Sequence, residues 1–168
     1  GNKKAEQPNI GLGIALVAKN CGGYHTTTMA DYESATIRIE PRGSVTMYVS
    51  TTSQGQGHET MLSQICADEL GVDFDKINII FGDTDVCPIG LGTYASKVTV
   101  ITGSAVKIAA SQLIEKMKII SAYNLDAKPD EIIFEDMSFI PKNNPEKKIS
   151  FSDILKIAYL DPRKLPPN

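Results

Sequence analysis

The sequence has no tryptophan, only two histidines, a small net negative charge and no long hydrophobic run. His25 and His58 lie too far apart in the chain to build a histidine-rich metal site. A net charge of −3 without a basic stripe argues against an electrostatic grip on nucleic acid. No apolar run reaches the roughly 20 residues that a membrane helix requires. We therefore expect no nucleic-acid partner, no membrane span and no metal ligands from this chain.

Cysteine is also scarce. Cys21, Cys66 and Cys87 are an odd number and contain no C-x-x-C pair, which is typical of a reducing, cytoplasmic protein rather than of a disulfide framework. Cys66 lies in an apolar, helix-like run and is expected in the core. Cys87 lies in a loop, where a role is harder to exclude.

At 168 residues, with 42% hydrophobic and 22% charged residues, the chain is long enough for one domain or for a piece of a larger protein. Residues 1–9 are polar and predicted to be a disordered tail. Residues 10–160 carry the periodic patterns of a folded domain, and residues 161–168 form a proline-rich end.

Hydrophobic periodicity predicts the elements of that domain. A mostly apolar run, Ile10–Lys19, favours a buried strand. Alternating runs predict a hairpin of residues 35–39 and 45–49 and a later hairpin of residues 131–140. Helices are predicted at residues 61–70, 96–125 and 154–159. A strand is predicted at residues 77–81, and the helix before it suggests a crossover that makes this strand parallel to the strand at 45–49. In the long helix the buried stripe is expected to be Val98, Ile101, Ala105, Ala109, Leu113, Met117 and Ile120.

The most informative stretch is Gln54–Thr60, between a predicted strand and a predicted helix. A glycine loop that leads into a helix directs backbone N–H groups at one point, which suits a phosphate or another anion. Gly55 and Gly57 allow a ligand to approach the backbone closely. Gln54, Gln56, His58 and Thr60 offer neutral hydrogen-bonding groups.

A second helix start of the same kind follows Thr93–Lys97, and Lys97 adds a positive charge. Two such ends predict a phosphate-bearing cofactor, with ordinary loops and helix caps as the alternative. A zinc-protease motif is excluded because Leu62 stands where the second histidine is needed. Asp83 and Asp85 are expected to satisfy backbone N–H groups in a turn rather than to act chemically.

Several separated motifs together resemble one family. These are Gln54–Thr60, Gln64–Ile65, Glu69–Gly71, Gly82–Asp85 and Gly90–Ser96. In order and spacing they resemble the molybdopterin-binding large subunits of molybdenum hydroxylases: aldehyde oxidases, xanthine dehydrogenases and, most closely, the carbon monoxide dehydrogenase-like branch. The resemblance extends from about residue 10 to about residue 159.

The resemblance implies an α+β fold, a two-layer α/β domain with a mixed sheet and helices packed on one face. It implies that the loop of Gly55, Gln56 and Gly57 contacts the pterin end of molybdopterin and its phosphate. It further implies that residues 93–97 (Thr93, Tyr94, Ala95, Ser96 and Lys97) hold the phosphates of a dinucleotide form, expected to be the cytosine one. Relatives resemble Gly-Ser-Arg at positions 95–97, and lysine keeps the charge but lacks the bidentate fork.

By the same resemblance, the whole protein hydroxylates an aldehyde, carbon monoxide or an N-heterocycle with oxygen from water. Electrons leave through iron–sulfur clusters, usually to FAD. The expected partners are the remainder of the molybdenum subunit, an FAD subunit and a [2Fe–2S] subunit. No residue here matches the family's catalytic groups, so this chain is expected to be inactive alone. A stand-alone nucleotide-binding module and a purely structural remnant remain alternatives.

Overall fold

The computed structural model describes residues 11–19, 21–22 and 32–167. Its helices are α1 (His58–Leu70), α2 (Val98–Leu125) and α3 (Phe151–Leu160). Its strands are β1 (Ala35–Ile39), β2 (Val45–Val49), β3 (Ile77–Ile80), β4 (Ile132–Glu135), β5 (Ser138–Pro141) and β6 (Ile149–Ser150). The predicted tail at residues 1–9 and His25 lie outside the described residues.

The first sheet is mixed, with the order β1-β2-β3. Strands β1 and β2 form the predicted antiparallel hairpin, in which Ile37 faces Met47 across the ladder. Its turn is closed by the Glu40 N–H, which donates to the Ser44 carbonyl at 2.8 Å, and Gly43 takes a positive φ of 87°. After α1 the chain returns as β3, parallel to β2. The predicted parallel crossover is therefore confirmed.

One face of this sheet is covered by helices. In α1, Leu62, Cys66 and Leu70 are fully buried, and Ile65 is partly buried against the same core. Gly71 ends the helix in the left-handed conformation with φ 67°, which glycine favours at a helix C-terminus. The α+β class with helices on one face of a mixed sheet is confirmed.

The buried stripe of α2 differs from the expected one. Val98 and Met117 are buried as predicted, but Ile101, Ala105, Ala109, Leu113 and Ile120 are only partly buried. The buried positions are instead Val98, Thr102, Gly103, Val106, Ala110, Ile114, Met117, Ser121 and Ala122. Apolar residues occupy every side of this helix, so periodicity alone did not fix its inner face. Gly103 allows a close approach to α1, since a Cβ there would lie 2.9 Å from Ile65 Cδ1.

A second, antiparallel sheet has the order β4-β5-β6. The predicted hairpin is confirmed, with a turn at Asp136 and Met137, both at positive φ. Helix α3 starts at a side-chain cap: the Ser150 Oγ accepts the Asp153 N–H at 3.1 Å and donates to the Asp153 carboxylate at 2.7 Å. The proline-rich end contains a short 3-10 turn, Pro162–Lys164, after which Leu165 packs on the core.

The predicted buried strand at Ile10–Lys19 is wrong for the described residues 11–19. These residues form no strand, and Leu12, Ile14, Leu16 and Val17 are 86–101% exposed. A strand needs a neighbour for its N–H and C=O groups. Within the described parts of the chain, no strand pairs with this segment.

Candidate functional site

The two predicted loops lie side by side because β2 and β3 are parallel. Each of these strands ends at the same edge of the sheet, and the loops that follow lead into α1 and α2. Ligands of α/β sheets bind at such an edge. A cleft of about 360 Å³ opens there, at the low end of the usual size for small-molecule sites. Its lining consists of Lys19, Gln54, Gln56, His58 and residues 93–99.

The loop before α1 leaves its backbone open. Gly55 and Gly57 have positive φ values of 91° and 79°, and a Cβ at either would meet nothing within 4 Å. The Gln54 N–H donates to Gln56 Oε1 at 2.6 Å, so the Gln56 amide is held within the loop. This combination allows an external group to contact the backbone at the start of α1.

The Thr52 carbonyl joins the two loops. It accepts a hydrogen bond from Thr93 Oγ1 at 2.6 Å, and His58 Nδ1 lies 3.3 Å from it. One backbone oxygen after β2 thus holds a side chain from each helix start. These two contacts to the Thr52 carbonyl fix the position of one loop relative to the other.

Neither helix start has a side-chain cap. Gly57 precedes α1 and Lys97 precedes α2, and no capping hydrogen bond is formed at either position. In α2 the first N–H to find an acceptor within the helix is that of Ile101, which donates to the Lys97 carbonyl at 2.8 Å. Helix geometry leaves the preceding N–H groups without an intrahelical acceptor. Both starts therefore offer donors and partial positive charge to the cleft.

The two starts differ in electrostatics. Glu59 lies in the first turn of α1, and its pKa is lowered by a hydrogen bond to its own backbone N–H and by Ser53 Oγ, which donates at 2.9 Å. A negative charge therefore already occupies the first turn of α1. The first turn of α2 contains no acidic residue. The stronger attraction for an anion is at α2.

Lys97 is fully buried, as is its partner Glu33, and Lys97 Nζ lies 2.6 Å from Glu33 Oε1. The ammonium also lies over the Tyr94 ring, 4.3 Å from its centroid. Burial lowers the pKa of Lys97, but hydrogen bonds to Glu33 and Tyr94 outweigh it, so the pKa is raised. The Ser50 hydroxyl donates to the other oxygen of Glu33. The charge of Lys97 is therefore neutralised below the surface of the cleft.

The segment before β1 closes another side of the cleft. Lys19 Nζ donates to Ser96 Oγ at 3.1 Å, and the Gly22 N–H donates to the carbonyls of Ala95 and Ser96 at 3.2 and 3.3 Å. Ala95 and Ser96 both have positive φ, near 50°. Sequence reasoning missed Lys19 and Glu33, because both are far from the loops in the chain and belong to no motif.

Most of the predicted site residues lie together. Gln54, Gln56, His58 and Thr93–Lys97 line one cleft, and Gly55, Gly57 and Thr60 lie in the loop and the first turn beside them. Asp83 Oδ1 accepts the Asp85 N–H at 2.9 Å, so this pair serves a turn as expected. Among the described residues, no group of three or more metal-binding side chains occurs.

Cys66 is buried as predicted, and burial raises the pKa of its thiol to about 12. Cys87 is half-buried, with Sγ 3.5 Å from the Ile80 carbonyl. No helix in the described part of the chain is long and apolar enough to span a membrane.

Comparison with known proteins identifies the family. The sequence model of one protein family, the molybdopterin cofactor-binding domain, matches residues 1–167 of this chain. The chain belongs to this family. It is 39% identical to the carbon monoxide dehydrogenase large chain of Afipia carboxidovorans over 99% of its length, and 32% identical to the nicotine 6-hydroxylase large subunit of Paenarthrobacter nicotinovorans over 94%.

A solved structure has the same fold. Quinoline 2-oxidoreductase from Pseudomonas putida 86 superimposes with a TM-score of 0.76 at 37% identity, over 83% of this chain and 18% of that one. The chain spans about a fifth of the two curated relatives, 21% and 20% of their lengths. The similarity therefore covers one domain of much larger subunits.

Proposed function

We propose that this chain is a cofactor-binding segment of a molybdenum hydroxylase large subunit. The observation that carries the proposal is the convergence of two uncapped helix starts on one polar cleft. Family membership supports molybdopterin as the ligand. The proposed form is the cytosine dinucleotide, whose second phosphate requires a second anion site.

Each helix start binds a different part of the ligand. The loop at Gln54–Thr60 offers amide and imidazole groups to the pterin end and its phosphate. The loop at Thr93–Lys97 offers hydroxyls and the N–H groups of α2 to the dinucleotide phosphates. This assignment follows the electrostatics, because Glu59 adds a negative charge at α1 and the first turn of α2 contains none. Lys97 contributes through the shape and position of its loop, since its ammonium is paired with Glu33.

The bound cofactor supplies oxidative hydroxylation of an aldehyde, carbon monoxide or an N-heterocycle. The residues of this chain bind and orient the cofactor, and none of them is proposed as catalytic. The substrate-side residues and the base belong to the remainder of the large subunit. Iron–sulfur clusters and FAD are carried by partner subunits, and the assembly is cytoplasmic.

The test is cofactor content in the assembled complex. Gln56→Ala removes the held amide at α1, and Ser96→Ala removes the hydroxyl at α2. Gln64→Ala and Ser152→Ala are matched controls, because both residues are exposed on helices and neither lines the cleft. We expect each site variant to lose most of its molybdenum, measured by mass spectrometry, while the controls retain it. Full occupancy in both site variants would refute the assignment.

A second candidate is a stand-alone module for a phosphate-bearing nucleotide. It is favoured by the fact that the cleft is formed within this chain alone. Calorimetry of the isolated chain with cytidine nucleotides separates the two. Micromolar binding without partner subunits supports the module, and its absence supports the large-subunit segment.

A further inference from the structure

Among the described residues that line the cleft, Lys19 is the lysine with an exposed side chain. It is exposed, lines the cleft and donates to Ser96 Oγ at 3.1 Å. Its hydrogen-bond partner is a neutral hydroxyl, and the ion pairs found among the described residues do not include it. A charged ammonium held beside a helix start by a neutral group retains the capacity to bind an anion there.

Lys97 cannot take this role while its ion pair is intact. Its side chain is fully buried against Glu33 and Tyr94, and release of its ammonium would leave the Glu33 carboxylate buried without its countercharge. Uncompensated buried charges are strongly destabilising. Lys97, adjacent to α2 in sequence, therefore holds the loop, whereas Lys19, distant in sequence, is exposed at the cleft.

The position of Lys19 is fixed by its neighbourhood. Three residues later, the Gly22 N–H donates to the carbonyls of both Ala95 and Ser96. Gly22 has φ 87°, a conformation that favours glycine, and its Cβ position would lie 4.0 Å from Val100 Cγ2. This attachment ties the segment to the loop immediately before α2. Lys19 is thus positioned beside the start of that helix.

We propose that Lys19 binds a phosphate group of the ligand at the start of α2 and so selects a cofactor that carries phosphate charge there. The inference rests on the proposed function and specifies which side chain supplies the charge. A phosphate at this point joins the ammonium, the Ser96 hydroxyl and the N–H groups of α2 in one set of charge-assisted hydrogen bonds. The chemical class of the recognised group is a phosphate ester or diphosphate.

The experiment measures release of the cofactor from the assembled complex after dilution, at low and at high salt. The variants are Lys19→Gln, which removes the charge, and Lys19→Arg, which keeps it. Lys116→Gln is the matched control, because Lys116 is exposed on α2, outside the cleft, and loses the same charge. Retained molybdenum is quantified by mass spectrometry. The nucleotide that acid releases is identified by chromatography, which distinguishes a dinucleotide from a monophosphate cofactor.

We expect about tenfold faster release from Lys19→Gln at low salt, a typical loss for a hydrogen bond to a charged group. The difference should shrink at high salt because the ammonium is exposed and its charge is screened. Lys19→Arg and Lys116→Gln should release at the parental rate, and all variants should melt at the parental temperature.

Parental release from Lys19→Gln, together with fast release from Ser96→Ala, would overturn this inference and leave the proposed function standing. Parental release from both variants would overturn the proposed function as well. A lowered melting temperature of Lys19→Gln relative to Lys116→Gln would show a structural role and would also overturn the inference.

Discussion

The ion pair between Lys97 and Glu33 ties the start of α2 to the segment that precedes β1. Both side chains are fully buried, and Ser50 donates a further hydrogen bond to Glu33. Such a pair adds little net stability when it is complete, because desolvation offsets the attraction between the charges. Removal of one partner is different, since the other charge is then buried alone. The pair therefore enforces a specific position of the loop at Thr93–Ser96.

Substitution of Lys97 tests this view at the scale of one residue. Lys97→Met should lower the free energy of unfolding by about 3 to 5 kcal/mol, the usual cost of breaking a buried pair. Lys107→Met is the control: its pair with Glu69 is on the surface, with 64% of the lysine side chain exposed, and should contribute less than about 1 kcal/mol. Urea unfolding followed by circular dichroism suits a chain without tryptophan. Equal losses in the two variants would contradict the buried-pair account.

The same pair has a pH signature. The pKa of Lys97 is raised in the folded chain, so its contribution to stability is complete below the unfolded pKa of about 10.4 and is lost as pH rises through the folded value. As the pH rises above about 10.4, the unfolding free energy should therefore fall more steeply in the parent than in Lys97→Met. Parallel curves would contradict this linkage.

Individual residues were predictable where a local rule fixes them. The burial of Cys66 and the turn role of Asp83 both follow from their immediate neighbours in sequence. The role of Lys97 was not predictable in this way, because its partner Glu33 lies 64 positions earlier in the chain. The sequence placed Lys97 at the site, but only the structure shows its ammonium paired below the surface.

At the scale of elements, the loop from Phe81 to Lys97 depends on one close approach. Gly90 packs on the Glu33–Ser50 pair, where a Cβ would lie 2.2 Å from Glu33 Oε2 and 2.3 Å from Ser50 Cβ. Ser50 directly follows β2, so a shift of Ser50 away from an added Cβ would also displace the end of that strand. Gly92 differs: it has φ 89°, but a Cβ there would meet nothing within 4 Å.

Alanine at these two glycines separates crowding from backbone strain. Gly90→Ala should cost about 3 kcal/mol, near the top of the range for overpacking, and should displace the loop. Gly92→Ala should cost about 1 kcal/mol, the penalty for alanine in a left-handed conformation. Urea unfolding of both variants provides the comparison. A cost for Gly90→Ala no larger than for Gly92→Ala would show that the loop is not held against Ser50.

Elements with a local signature were predicted well. Alternation fixed the hairpin of β1 and β2. Helix α3 was predicted where it lies, but it starts at Phe151, three residues before the predicted start at 154. The inner face of α2 was not predictable, because Val100, Ile108 and Ile119 leave apolar surface on its exposed side. Strand β6 was not predicted, because two residues are too few to show an alternation of apolar and polar side chains.

At the scale of the whole molecule, the site arises from topology. The parallel pairing of β2 and β3 brings both following loops to one edge of the sheet, and the helices that they lead into start beside each other. The motifs indicated two anion-ready ends, but their shared cleft depends on pairing between residues about 30 positions apart, which spacing alone does not establish. The segment at residues 11–19 shows the opposite case: its apolar pattern predicted burial, and the described residues supply no partner strand.

The most direct test of the central claim is a cryo-electron microscopy map of the assembled complex with its cofactor bound. The account predicts one continuous ligand density in contact with both helix starts, from Gln54–Thr60 at α1 to Thr93–Ser96 at α2. Density that touches neither helix start, or that lies on the opposite face of the sheet, would contradict it.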